Sequence, residues 1–424
     1  MEKKEMLIEQ LNAKTKQERL AALRALKAMV ENGEIERPVT GMDVNNHIHS
    51  IYSFSPYSPA KAVWMAYTNG LCTAGIMDHD SISGAREFIE AGEIIGIPTT
   101  IGMECRVDFS KTSLNGKRIN NPDQNSCVYM AIHGIPHTEI DKVSAFFEKY
   151  RAARNVRNKA MVEKINARIA DSGIVIDFEK DVLPLSQFAE KGGVTERHLM
   201  YALSKALVNR FGKGQALVDY LRASLNLDVS GKMETMLLDK DNSYYEYDLL
   251  GALKSDISSL YINATDECPD VKEVVALCDE IGAISAYAYL GDVGDSVTGD
   301  KRAQKFEDDY LDELFSVISG LGFRAVTYMP SRNTLAQLNR VRNLCNQYGL
   351  FQISGEDINS PRQLFICKAL QNPEFHNLIE ATWALIGHET AATKNKADGM
   401  FSKETIAKFP DMNDRIKHFA ALVK

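Results

Sequence analysis

No stretch of this chain approaches the ~20 consecutive apolar residues that a membrane-spanning helix needs, and no apolar segment follows the opening Met-Glu-Lys-Lys-Glu. A helical anchor and a secretory leader are therefore not expected, and the reading places the protein in the cytoplasm. Cysteine pairs are also lacking. The seven cysteines, Cys72, Cys105, Cys127, Cys268, Cys278, Cys345 and Cys367, are scattered without a Cys-x-x-Cys pair, so they read as reduced core thiols. Nor is there an excess of basic residues. Lys plus Arg number 49 against 57 Asp plus Glu, a net charge of −8. That balance argues against a broad nucleic-acid surface, while leaving room for a local basic pocket for one phosphate.

What is present is an ordinary soluble composition, 45% hydrophobic and 25% charged, over 424 residues. That length suits two or three domains, or one barrel-sized domain carrying an insertion. Leu7, Leu11, Leu20, Leu23, Leu26 and Val30 recur near the 3.6-residue period, so residues 1–40 are read as a helical extension stopped near Gly33. Residues 41–137 alternate strands and helices. Strands are predicted at Val44 to His49, Thr73 to Met77, Thr99 to Gly102 and Cys127 to His133, with helices at Ser58 to Asn69 and Ser83 to Ile95. Residues 138–275 break this rhythm and read as a mostly helical insertion covering the site, with Thr195 as the N-cap of one helix. The rhythm resumes over 276–369, through helices at Val271 to Ile281, Phe306 to Leu321 and Thr334 to Tyr348 and strands at Ala283 to Tyr287, Ala325 to Tyr328 and Gln352 to Ser354. A tail, 370–424, packs on this body. Such a βα rhythm implies parallel strands with helices outside, and chemistry at the C-terminal strand ends.

Those ends carry the informative residues. On a strand, positions i and i+2 share a face, so His47 and His49 can put both imidazoles on one ion. Asp78-His79-Asp80, Gly102-Met103-Glu104, His133-Gly134 and Gly355-Glu356-Asp357 follow, each ending a strand-like run. Taken singly, each has a structural reading: His79 as a satisfied loop histidine, Glu104 as the partner of Arg106, Asp357 as a turn or cap residue. Preserved order along one rim is what points to a metal site. His137 and His388 match no motif and read as structural or surface residues.

In this order the motifs resemble those of the PHP (polymerase and histidinol phosphatase) family of metal-dependent phosphoesterases, over about residues 42–136 and 270–365. The resemblance implies a distorted (β/α)7 barrel of the PHP type with a helical insertion and an N-terminal helical extension, and up to three metal ions at its rim. Carried over, the first ion takes His47, His49, Glu104 and Asp357, a donor set that suits zinc, manganese or iron. The second shares Glu104 and adds His133, while Tyr287 stands where the family has a histidine. The third takes His79, with Phe54 in place of an acidic ligand and Asn359 in place of a histidine. One ion is thus expected to be firmly bound, and one or two more weakly.

The resemblance further implies a phosphoesterase in which Glu104, His133 and Asp357 form the catalytic set around a metal-activated water. The expected substrate is a small phosphorylated metabolite or nucleotide. Arg197, His198 and Arg332 are the expected phosphate-binding side chains, with Tyr287 as a further substrate contact. Two readings stand beside this one. The altered ligands fit a non-catalytic or regulatory ligand-binding module, and the same metal device also serves C–N bond hydrolysis.

Overall fold

The computed structural model describes residues 3–254, 257–293 and 304–424; positions 255–256 of the expected insertion and 294–303 of the second barrel part lie outside the described residues. Seven strands form one sheet in sequence order: β1 (Val44–Ile48), β2 (Thr73–His79), β3 (Thr99–Asp108), β4 (Cys127–His133), β5 (Ile284–Ala288), β6 (Ala325–Tyr328) and β7 (Phe351–Ser354). The two edges nearly meet. Ile358 pairs with Ile48, its N–H donating to His47 O at 3.0 Å while its carbonyl accepts from His49 N–H at 2.9 Å. This is the expected distorted (β/α)7 barrel. Gly355 permits the closure, since a Cβ there would stand 2.6 Å from the Cβ of His47.

One strand departs from expectation. β4 is antiparallel to both β3 and β5, whereas the other neighbouring pairs are parallel. No helix forms over 109–126, and without the crossover helix that usually joins parallel strands the chain returns antiparallel.

The helical extension is two helices, α1 (Lys3–Gln10) and α2 (Lys16–Glu31), the second started by a capping box between Thr15 and Glu18. The second packs on α3 (Pro59–Thr68) and α4 (Ala85–Ile95), where Arg19 and Glu87 form an ion pair almost fully buried on both sides. Ser58 caps α3 ahead of Pro59, as its sequence suggests. The block after β4 is helical: α5 (Ile140–Phe146), α6 (Glu148–Arg168), α7 (Glu196–Phe211), α8 (Gln215–Ala223), α9 (Gly231–Leu238), α10 (Tyr245–Lys254) and α11 (Ile257–Leu260). Much of it has its own apolar core, from Met161 and Leu199 to Leu249 and Leu260. Then α12 (Val271–Ile281), α13 (Leu311–Leu321) and α14 (Leu335–Tyr348) flank the later strands. The expected helix from Phe306 begins only with a 3-10 turn at Asp308, because residues 304–307 turn inward to bury Glu307.

The tail adds α15 (His376–Lys394), α16 (Lys403–Lys408) and α17 (Met412–Ala420). Ala384 and Leu385 of α15 and Phe419 of α17 join Met77, Ala131, Ala286 and Phe351 in the core that seals the barrel at the end away from Asp357. Two histidines fasten this plug. His388 accepts from Met400 N–H at Nδ1 and lies 3.2 Å from Gly134 O at Nε2, and His137 pairs with the buried Glu389 at 2.8 Å.

Candidate metal centre

The rim is built by register. His79 ends β2 directly opposite Glu104 of β3, and β1 brings His47, with His49 just beyond it, to the same level. One oxygen gathers the imidazoles: Glu104 Oε2 lies 3.1 Å from His47 Nε2, 3.7 Å from His79 Nδ1 and 3.9 Å from His49 Nε2. Barrel closure supplies Asp357, whose Oδ1 is 3.1 Å from His49 Nε2. Two groups could each hold a divalent ion, His47 with His49 and Asp357, and His49 with His79 and Glu104, the ligand atoms within each lying within 4.8 Å of one another.

The electrostatics follow from this crowding. Burial alone would raise Glu104, but the three histidines outweigh it and hold the carboxyl at about 2. Asp357 is likewise held well below its ordinary value by His49, His47 and Arg197 against the effect of burial. Burial lowers His79 to about 4, whereas His47 is raised, because its bond to Glu104 and the nearby Asp357 overcome burial.

Whether this pocket suits a cation is decided at His49. Asp78, nearly fully buried, accepts from Ser50 N–H (2.7 Å), Ser50 Oγ–H (2.6 Å) and Ser53 Oγ–H (2.7 Å). Ser53 thus spends its only proton on Asp78, so it must accept from His49 Nδ1–H, at 3.2 Å. With Nδ1–H fixed in this way, the lone pair that the ring can offer a ligand is the one on Nε2. That atom is buried without a hydrogen-bond partner and faces two carboxylates. Apposed lone pairs and anions repel unless a proton or a cation lies between them, and one nitrogen facing two carboxylates is a donor set that fits a transition metal. Ser53→Ala should free the ring to take the other tautomer and weaken binding of zinc or manganese by about 10- to 100-fold, measured by isothermal titration. An affinity within twofold of wild type would show that Ser53 does not orient His49.

Several expected site residues lie elsewhere. His133 lies one layer below the two ligand groups: β4 runs the other way, so His133 pairs with Gly102, two residues deeper than Glu104 and on the same inward face. It is buried with Nε2 unpartnered, and burial, helped by nearby His47 and opposed by nearby Glu104, lowers its pKa to about 3. Tyr287 points outward into the layer between sheet and helices, fully buried and donating its hydroxyl to Glu307 at 2.8 Å, so it cannot contact a substrate at the rim. Its inward-facing neighbours are Ala286 and Ala288. Phe54 points away into the insertion core, its ring 5.0 Å from that of His198. His198 is consequently sealed, with Nδ1 accepting from Thr195 N–H at 3.0 Å and burial lowering its pKa to about 3, so it offers the rim no positive charge. Asn359 donates to Asp357 Oδ1 at 2.6 Å, orienting a ligand.

Arg197 and Arg332 both lie within electrostatic reach of Asp357. Arg197 sits in the first turn of α7, close enough to depress Asp357, and makes no ion pair among the described residues. Arg332 donates Nε–H to Leu290 O at 3.1 Å and feels both Glu307 and Asp357. The sequence reading missed Lys254, at the end of α10, whose ammonium is lowered to about 8 by Arg197 and by burial. It also missed the network that positions Arg197. Arg106 of β3 and Arg154 and Arg157 of α6 pair with Asp80, Glu196 and Glu267, three cations against three anions, joining barrel to insertion. Gly193 allows the contact, a Cβ there falling 2.6 Å from His79 O. Glu196, next to Arg197, was the signal available.

No protein-family model and no curated protein matches the chain. Among solved structures it is similar to a protein from Bifidobacterium adolescentis described as a candidate metal-dependent phosphoesterase, with 21% identity over 79% of this chain and 96% of that one, at a TM-score of 0.50. It is also similar to an amidohydrolase from Chromobacterium violaceum with bound sulfate and no metal, with 16% identity over 77% and 90% of the two chains, at a TM-score of 0.49. The chain thus has the fold of the Bifidobacterium structure, a distorted (β/α)7 barrel whose rim carries the histidines and carboxylates described above.

Proposed function

We propose that the protein is a metal-dependent hydrolase that cleaves the phosphoric ester of a small phosphorylated metabolite or nucleotide. The observation that carries this reading is the unpartnered, buried His49 Nε2 facing Glu104 and Asp357 beneath a set of cations. Zinc, manganese or iron held there would supply Lewis acidity, lowering the pKa of water and neutralising charge on phosphoryl oxygens. The protein's own groups do the rest. Glu104 and Asp357 stay ionised and fix the donor geometry, and the Asp78–Ser53 pair keeps the His49 lone pair aimed at the rim. Arg197 and Arg332, with Lys254 nearby, favour a phosphoryl dianion, which needs cationic partners in a way that a neutral amide does not.

Phe54 and Tyr287, both withdrawn from the rim, favour the second reading, a non-catalytic ligand-binding module. A screen of phosphomonoesters and nucleotides, with and without Mn²⁺, separates the two. Activity is expected to be low in protein as purified, to rise on adding metal, and to vanish in Asp357→Ala. Arg197→Ala should weaken substrate binding by about ten- to a hundredfold, the loss of a charge-assisted contact, with metal content unchanged. Absence of turnover under every metal condition, or turnover that survives Asp357→Ala, would leave the binding module as the better account.

A further inference from the structure

The fold pairs two cysteines that the sequence leaves far apart. Cys127 opens β4, Cys268 lies just ahead of α12, and their Sγ atoms are 3.5 Å apart across 141 residues of chain. Both are free thiols, one buried and one partly exposed. The backbone around them is already in register: Asp108 sits opposite Cys127 on the β3–β4 ladder, and its N–H donates to Pro269 O at 2.8 Å. This is the seam between barrel and insertion, since Glu267, adjacent to Cys268, holds Arg106 and Arg157.

The local chemistry favours a reactive sulfur. The neighbouring Cys268 thiol and the Arg106 guanidinium lower the pKa of Cys127 against the effect of burial. Burial instead raises the isolated thiols, Cys72 to about 11 and Cys367 to about 12, with Cys105, Cys278 and Cys345 raised as well. Among the described residues no other two cysteines make a sulfur–sulfur contact.

We propose that Cys127 and Cys268 are an oxidisable dithiol, which a peroxide converts into a disulfide that fastens the end of the insertion to the barrel wall. The Cys127 thiolate attacks one peroxide oxygen and breaks the O–O bond. This leaves a sulfenic acid and a hydroxide, which takes up the proton released by Cys127 and departs as water. The Cys268 sulfur then attacks the sulfenic sulfur, forming S–S as S–O breaks, and its proton leaves in a second water. Two thiols thereby pass two electrons to one peroxide.

The test treats the full chain with hydrogen peroxide and counts thiols after denaturation. The expected result is five reactive thiols instead of the seven in the sequence. Peptide mapping without reductant should find Cys127 joined to Cys268, and the thermal midpoint should rise and fall back on adding dithiothreitol. Cys268→Ser should keep its six thiols minus at most the one that forms a sulfenic acid, with no internal cross-link and no reductant-sensitive shift. Protein isolated with the bond already formed supports the proposal equally. Seven reactive thiols after treatment, a cross-link between other cysteines, or Cys127 oxidised to sulfinic acid without a cross-link would overturn it, and the wild-type mapping decides this even if the variant fails to fold.

Discussion

Glu104→Ala is expected to lower the affinity for zinc or manganese by more than about 100-fold, beyond the ~10- to 100-fold typical of losing a residue that only orients a ligand. The reason is that one oxygen serves three imidazoles, at 3.1, 3.7 and 3.9 Å. Its removal takes a ligand from the His49–His79 group and also the hydrogen-bond partner of His47 Nε2. Elemental analysis after dialysis, with titration of added metal, measures it. Wild type should carry at least one transition-metal ion, and circular dichroism should show the variant folded. An equivalent of metal retained by Glu104→Ala would mean that ions bind elsewhere. The same carboxylate sets a pH window in metal-free protein. Its pKa is depressed from 4.5 to about 2, so its contribution to stability is present above 4.5 and is lost as the pH falls towards 2.

Glu267→Ala should cost about 3–5 kcal/mol of stability, because it leaves Arg106 and Arg157 buried with less anionic charge than they had. Glu196 still contacts both guanidiniums and so limits the damage to part of the network. Urea unfolding followed by fluorescence gives the figure, and limited proteolysis should cut within the insertion first. A change below about 1 kcal/mol, the level of an exposed ion pair, would show that water already screens the network. Since α7 carries both Glu196 and Arg197, loosening the insertion should also weaken phosphate binding while metal content holds.

These expectations rest on parts of the molecule that were legible to different degrees. The alternation of strands and helices was clear, because it depends on local periodicity and capping: Ser58, Thr195 and Thr334 each start a helix where one was predicted. The rim quartet was legible for a similar reason. His47 and His49 share a strand face at a spacing of two, and Glu104 and Asp357 follow at or just beyond strands whose direction was read correctly. His133 sits one layer deeper than a strand-end residue would, although its strand was predicted residue for residue, because a strand's direction depends on how the chain returns to the sheet, which its own residues do not encode. Tyr287 was misplaced by facing: one position along a strand exchanges rim for core.

The sequence by itself therefore determined the elements, their order and the donors of the first ligand group, since each depends on residues within a few positions of one another. Tertiary structure alone decided what those donors meet. Asp78 and Ser53 became the support of His49, Phe54 and His198 became mutual packing, and Cys127 met Cys268 across 141 residues. Such contacts depend on barrel closure and on how the insertion docks, and both are set by packing between segments too distant in the chain for any local pattern to record.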